Sequence, residues 1–188
     1  MLVIRALTGS RVQLDNLSDS DDTTVLRRAL DRPSSIKDVG HAGTAMRFLT
    51  AYLATIPGKA VLTGSARMKE RPIGSLVEAL RKLGADISYL EKEGKPPLRI
   101  SGGCVRGGDI EIEAGVSSQF ISALMLIGPV LKGGLTLNLT GDVVSATYIE
   151  MTLALMKLCG VHATFDRRRI LIPEMPYRLK EFTVESDW

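Results

Sequence analysis

The stretch Gly40-His41-Ala42-Gly43-Thr44-Ala45-Met46-Arg47 has a partner further on, Val116-Ser117-Ser118-Gln119-Phe120. In each, small and hydroxyl residues stand directly before a long apolar run: Ala45 to Leu53 after the first, Phe120 to Ile127 after the second. Ser and Thr at a helix start accept hydrogen bonds from orphan backbone N–H groups. The glycines just upstream, Gly43 and Gly115, let a ligand approach the backbone. A helix start carries free donors and a partial positive charge, so it suits an anion. Two such starts in one small chain point to a phosphorylated or carboxylated small molecule. The plainer reading of the same residues is two ordinary caps on buried helices.

Reading outward, the first start follows a helix with a polar opening at Ser18 to Asp22, running through Val25 to Leu30 and broken by Pro33. A short helical tail at Leu2 to Leu7 and a strand at Arg11 to Leu14 come before it. A loop leads to the helix after Gly43, which Pro57-Gly58 stops. A strand ending in Leu62-Thr63-Gly64 follows, then a charged loop, Arg67 to Arg71, with Pro72 at the next helix start. Ile73, Leu76, Val77, Leu80 and Leu83 make one apolar stripe, closed by Gly84. Residues 85–90 and 98–102 then read as a hairpin.

The same order then recurs. A strand at Ile110 to Glu113 leads to the helix after Ser118, stopped by Gly133-Gly134. A second strand ends in Leu139-Thr140-Gly141, and a helix runs from Tyr148 to Leu158. The interval from Gly84 to Gly160 equals that from Pro72 to Tyr148, and a second hairpin follows at 161–165 and 169–173. Two copies of strand–helix–strand–helix–hairpin are legible, with the first thirty-odd residues as a truncated third. Such units bury their helices only by packing against one another. The expectation is an α/β domain of repeated βαβαββ units, helices inside and sheets outside, around a pseudo-threefold axis. Both helices of the second copy look apolar nearly all round and should be buried.

Composition sets the bounds. A chain of 188 residues suffices for one domain with a real core. A net charge of +3, with both signs mixed, gives no field for nucleic acid but leaves anionic metabolites open. Cys104 and Cys159 have no metal spacing and read as reduced thiols, and no segment has the length or character of a leader or a membrane span. The expectation is a cytoplasmic protein with neither a membrane nor a nucleic-acid partner.

Gly43 to Arg47, then Arg67-Met68-Lys69-Glu70-Arg71-Pro72-Ile73, then Ser117 to Phe120 closely resemble, in order and spacing, the 5-enolpyruvylshikimate-3-phosphate synthases. Ser20-Asp21-Asp22 and Gly141-Asp142 leading to Ser145 and Tyr148 extend the likeness to the whole chain. The resemblance implies two domains of three βαβαββ units each, closing on substrate between them. It also implies transfer of the enolpyruvyl group of phosphoenolpyruvate to the 5-hydroxyl of shikimate-3-phosphate, releasing phosphate, with no metal or organic cofactor. For this chain it implies that Ser117, Ser118 and Ser145 hold the phosphate of shikimate-3-phosphate. Gln119 would touch both substrates and Tyr148 would line the shikimate ring. Gly43 and Arg67 would receive phosphoenolpyruvate, with Thr44 and Arg47 shaping the glycine loop.

The sequence departs from that pattern in places. The family's lysine-serine motif would fall before residue 1, and the second domain, with the general base and further cationic ligands, beyond residue 188. The expectation is therefore 1–188 as a single, first domain, inactive alone, with its own second domain as partner and self-association through the uncovered face left open. His41 stands where asparagine is usual, and is read as a loop residue bonding backbone rather than as a proton donor. Asp21 and Asp22 read as helix caps, Glu70 as a neutraliser of its neighbours, His162 as structural. Two rivals have distinguishing marks. A nucleotide-sugar enolpyruvyl transferase would show a cysteine in the phosphoenolpyruvate loop, and a non-catalytic binding module on the same unit would bind polynucleotide.

Overall fold

The structure is a computed structural model that describes residues 1–9, 12–115, 117–143 and 146–185. Its elements follow the repeat. The complete unit nearer the N-terminus comprises β2 (Ile36–Asp38), α3 (Gly43–Thr55), β3 (Gly58–Thr63), a helical turn α4 (Ala66–Lys69), α5 (Gly74–Lys82), and the hairpin β4 (Asp86–Tyr89) and β5 (Leu98–Gly102). The next comprises β6 (Gly108–Glu113), α6 (Ser118–Ile127), β7 (Leu135–Thr140), α7 (Ala146–Leu158), and the hairpin β8 (Thr164–Asp166) and β9 (Arg169–Ile172). Their sheets have the same strand order, β2-β3-β5-β4 and β6-β7-β9-β8. In each, the first two strands run parallel, and the second pairs antiparallel with the hairpin. Gly84 and Gly160 end α5 and α7 at φ 95° and φ 81°, a left-handed turn that an L side chain resists.

The remaining unit is assembled from both ends of the chain. β10 (Glu181–Thr183) pairs in parallel with β1 (Gln13–Asp15), just as β2 pairs with β3. α1 (Leu2–Leu7) and α2 (Asp21–Asp31) supply its helices. Only Arg32 to Ser35 separate α2 from β2, so no hairpin follows α2 as one follows α5 and α7. α2 is accordingly polar, burying only Leu26 and Ala29, as a helix without a covering hairpin must be.

The helices form the core. α6 buries every residue from Phe120 to Ile127, and α3 buries Met46, Leu49 and Leu53 among others. α7 corrects the sequence expectation: it buries Ile149, Thr152 and Met156 but leaves Tyr148 56%, Met151 60% and Leu158 65% exposed. The helix after Ser118 also stops earlier than Gly133. Pro129 has no N–H for a further helical bond, and the chain continues as a 3-10 turn at Gly128–Val130. β2, expected as loop, is a strand whose middle residue Lys37 points inward and donates from Nζ to the Arg32 carbonyl at the end of α2.

Candidate anion-binding site

α3 and α6 lie side by side, and their N-termini meet. Gln119 at the start of α6 donates from Nε2 to Thr44 Oγ1 at 3.2 Å. Ser117 caps α6, its Oγ accepting from the Gln119 amide at 3.3 Å. The α3 start is finished differently. Ala42 offers no side-chain cap, and the Thr44 amide donates instead to Asp22 Oδ1 of α2 at 3.1 Å. The caps are thus shared out unexpectedly: Ser20 caps α2, and Asp22 caps its neighbour. One donor at the α3 start is therefore already occupied.

Below the glycine loop lies Arg47, 4% exposed and facing no carboxylate among the described residues. Its Nη1 donates to the Gly43 carbonyl at 3.1 Å and its Nη2 to the Pro72 carbonyl at 3.2 Å. The guanidinium also stands 5.9 Å from the Phe120 ring centre. Burial, and secondarily the nearby charge of Arg71, lower its pKa to about 10. Arg47 thus ties the glycine loop to the turn before α5.

The stretch expected to be a charged loop is instead a helical turn capped by Ser65, with Met68 buried inside it. Its charges are sorted by direction. Lys69 pairs with Glu91 at 2.6 Å, and Glu70 pairs with Lys95 at 2.5 Å and Lys92 at 3.7 Å, all in the β4–β5 loop. The Lys95 hydrogen bond and the Lys92 charge hold the Glu70 carboxyl below its usual range. Glu70 therefore neutralises the hairpin and not Arg67 or Arg71. Neither arginine has a carboxylate partner among the described residues. Both line, with His41 and Met68, a cavity of about 370 Å³. Arg71 also lies directly on Gly43: a Cβ built there would sit 2.2 Å from Arg71 Nη1.

A second cavity, of about 540 Å³, opens between α1, α3, α6 and α7. Thr44, Ser118, Gln119 and Tyr148 are among its polar residues, and Phe48, Met151 and Leu155 among its apolar ones. A line of contacts joins the two cavities: Arg67 and Arg71 share one, Arg71 covers Gly43, and Thr44 bonds Gln119 in the other. Gly43, Thr44, Arg67, Ser118, Gln119 and Tyr148 are thus brought together around adjoining spaces. Ser145 lies outside the described residues. His41 bonds a side chain, Ser65 Oγ at 2.9 Å, and not backbone.

Two residues of this region escaped the sequence reading as site candidates. Arg71 could have been found from its spacing, since it follows Arg67 by one helical turn. Asp22 carried no such signal, because its partner amide belongs to another element. Among the described residues no group of three or more His, Cys, Asp or Glu could hold a metal ion. No helix among them is long and apolar enough to cross a membrane.

Comparison with known proteins bears on this geometry. The family model for EPSP synthase (3-phosphoshikimate 1-carboxyvinyltransferase) matches residues 1–188. A 3-phosphoshikimate 1-carboxyvinyltransferase of Bacteroides fragilis is 53% identical over 188 residues, which is 100% of this chain and 46% of that protein. One from a Sulfurovum species is 40% identical over 215 residues, covering 99% of this chain and 50% of the relative. The chain spans about half the length of these relatives. A solved EPSP synthase structure from Acinetobacter baumannii superimposes with a TM-score of 0.79 at 19% identity, over 97% of this chain and 47% of the other. That likeness concerns the fold.

Proposed function

The chain belongs to the EPSP synthase family, and on that premise we propose that it forms the half of such an enzyme that receives shikimate-3-phosphate and one side of phosphoenolpyruvate. The reaction is transfer of the enolpyruvyl group to the 5-hydroxyl of shikimate-3-phosphate with release of phosphate. The observation that carries this reading is the Gln119–Thr44 bond, which joins two helix starts in the wall of the second cavity, beside the Gly43 that Arg71 of the arginine-lined cavity covers.

In this reading Ser117 and Ser118, with hydroxyls and amides at the α6 start, hold the phosphate of shikimate-3-phosphate together with Ser145. Tyr148 lies along the shikimate ring. Its exposure fits a ring that packs on ligand rather than on the core. Gln119 reaches both substrates from its place beside Thr44. Gly43 and Arg67 receive phosphoenolpyruvate, for which a guanidinium offers two parallel bonds to carboxylate or phosphate. Arg71 adds a second charge to that cavity. Thr44 and Arg47 act on the loop: Thr44 fixes Gln119, and Arg47 fixes Gly43.

What this half contributes is position and field. Holding two anions against each other lowers the entropic barrier to their reaction, and closure by a second half would exclude water. General acid–base chemistry would come from that second half, so the chain alone should bind without turning over. With that second half it would work as a cytoplasmic enzyme on small anions.

Calorimetric titration with shikimate-3-phosphate tests the reading. Weak binding is expected, lost in Ser118→Ala and Gln119→Ala. Unchanged affinity in both variants, or preference for a polynucleotide, would contradict it.

A further inference from the structure

We propose that His41 is a positioning residue whose protonation raises the affinity of the Arg67–Arg71 cavity for anions, giving this site a pH dependence. This rests on the functional reading above and adds to it. The basis is the way α4 is docked. The Ser65 amide donates to the Gly40 carbonyl at 3.0 Å, and Gly64 packs so closely that a Cβ there would lie 2.7 Å from the same oxygen. Ser65 Oγ then caps α4 by accepting from the Met68 amide at 3.3 Å and meets His41 Nδ1 at 2.9 Å. The turn that carries Arg67 is thereby held to Gly40 and His41 by one main-chain and one side-chain bond.

Proton bookkeeping fixes how this link behaves. Ser65 Oγ already accepts from Met68, and its own O–H is free to donate to Nδ1. The neutral ring then carries its proton on Nε2. Once the ring is charged, Nδ1–H becomes the donor and Ser65 Oγ accepts, so the hydroxyl hydrogen is released. One proton binds, no bond to carbon changes, and the cavity gains a positive charge and a free donor. His41 is exposed, so solvent protons reach it.

The acidic groups on the neighbouring elements stand outside the wall of this cavity. On β2, Asp38 accepts from the Gly40 amide at 2.9 Å and keeps its charge, but does not line the cavity. On α4, Lys69 and Glu70 pair with Glu91, Lys92 and Lys95 in the β4–β5 loop. Arg67 and Arg71 remain, and with His41 and Met68 they line a space that has no acidic residue in its wall. A third positive charge there repels the other two when the cavity is empty and is neutralised when an anion enters, so protonation and anion binding reinforce each other. An asparagine in place of His41 could keep a hydrogen bond to Ser65 but could not change charge.

The test is sulfate binding to the 188-residue chain by calorimetry, because sulfate keeps its double charge throughout the range in which imidazole titrates. Between about pH 8 and about pH 6 the wild-type affinity should rise about three- to tenfold. His41→Asn and His41→Gln should match wild type at the higher pH and show no rise at the lower one. Burial lowers the pKa of the Met1 amine. It lies in the other cavity and is retained in both variants, so it cannot produce a difference between them. An equal rise in wild type and both variants would overturn the role of His41, provided Arg67→Gln still abolishes binding. Sulfate affinity indifferent to Arg67→Gln and Arg71→Gln, or no binding at either pH, would overturn the cavity as an anion site and His41 with it. Amide spectra of each variant establish that it is folded.

Discussion

Gln119 Nε2 and Thr44 Oγ1 stand 3.2 Å apart, although the residues are 75 positions apart and head helices of different repeats. The contact makes the two helix starts one structure. Each side chain uses on the other a group that would otherwise face the cavity, so the bond orients both. Net, such a bond is worth about 0.5–1.5 kcal/mol. Gln119→Ala should therefore lower stability by no more than about 1.5 kcal/mol while removing shikimate-3-phosphate binding. Denaturant melts beside a titration separate the two effects, and a larger stability loss would make Gln119 a structural residue.

Gly43 carries the second expectation. A Cβ at this position meets the far end of a flexible side chain, Arg71 Nη1 at 2.2 Å, and not backbone. Gly43→Ala should fold with a stability change within about 1 kcal/mol, because Arg71 can swing away. Sulfate affinity should fall, since that swing takes a charge out of the cavity. In Arg71→Ala, adding Gly43→Ala should cost no further affinity. Additive losses would mean that Gly43 acts without Arg71.

Tyr177 tests the core rather than the site. Its hydroxyl donates to the Leu126 carbonyl at 2.8 Å, near the end of α6 where helix carbonyls lack an internal partner. Burial pushes its pKa far above the usual tyrosine value. Tyr177→Phe should lose about 1–3 kcal/mol, read by chemical denaturation, with ligand affinity intact. A loss near zero would mean that solvent takes over the carbonyl.

Glu70 gives a pH signature. Its folded-state pKa lies below the unfolded one because of the Lys95 hydrogen bond and the Lys92 charge. The stabilisation is then present above the ordinary carboxylate range and disappears as pH falls through the folded pKa. Glu70→Gln should melt below wild type at neutral pH, and the two curves should merge in acid. The gap should also narrow in high salt, because the pair is solvated. A gap that persists in acid would assign the effect to packing.

Much of this fold is legible in the sequence because its repeat is carried by strong local signals. The stripe from Ile73 to Leu83, the Leu-Thr-Gly strand ends and the glycines at 84 and 160 each have a physical cause that neighbouring residues reveal. What the sequence hides is decided between elements. β2 reads as loop because its apolar residue faces outward, Ile36 at 61% exposure. Lys37 turns inward to bond the last turn of α2, reversing the usual pattern. α7 reads as buried because its apolar residues run all round, yet one side of it borders a cavity and solvent. β10 is three residues with no periodicity to detect, and only its pairing with β1 makes it a strand.

The site divides in the same way. Ser117 as a cap follows from the residues before an apolar run. Asp22 as the cap of α3 depends on two helices packing at one angle, which no local pattern encodes. The run from Arg67 to Arg71 looks like one patch of mixed charge. Only the position of the β4–β5 loop separates it into a neutralised side, Lys69 and Glu70, and an unneutralised one, Arg67 and Arg71.

The most direct measurement follows the amide and arginine side-chain resonances of the labelled chain during titration with shikimate-3-phosphate and then phosphoenolpyruvate. Shifts from the first ligand should gather at Thr44, Ser118, Gln119 and Tyr148, and those from the second at Gly43, Arg67 and Arg71, with Gln119 responding to both. Shifts scattered over the outer sheets, or two ligands sharing one set of residues remote from Gln119, would contradict a single anion site built from two helix starts and an arginine turn.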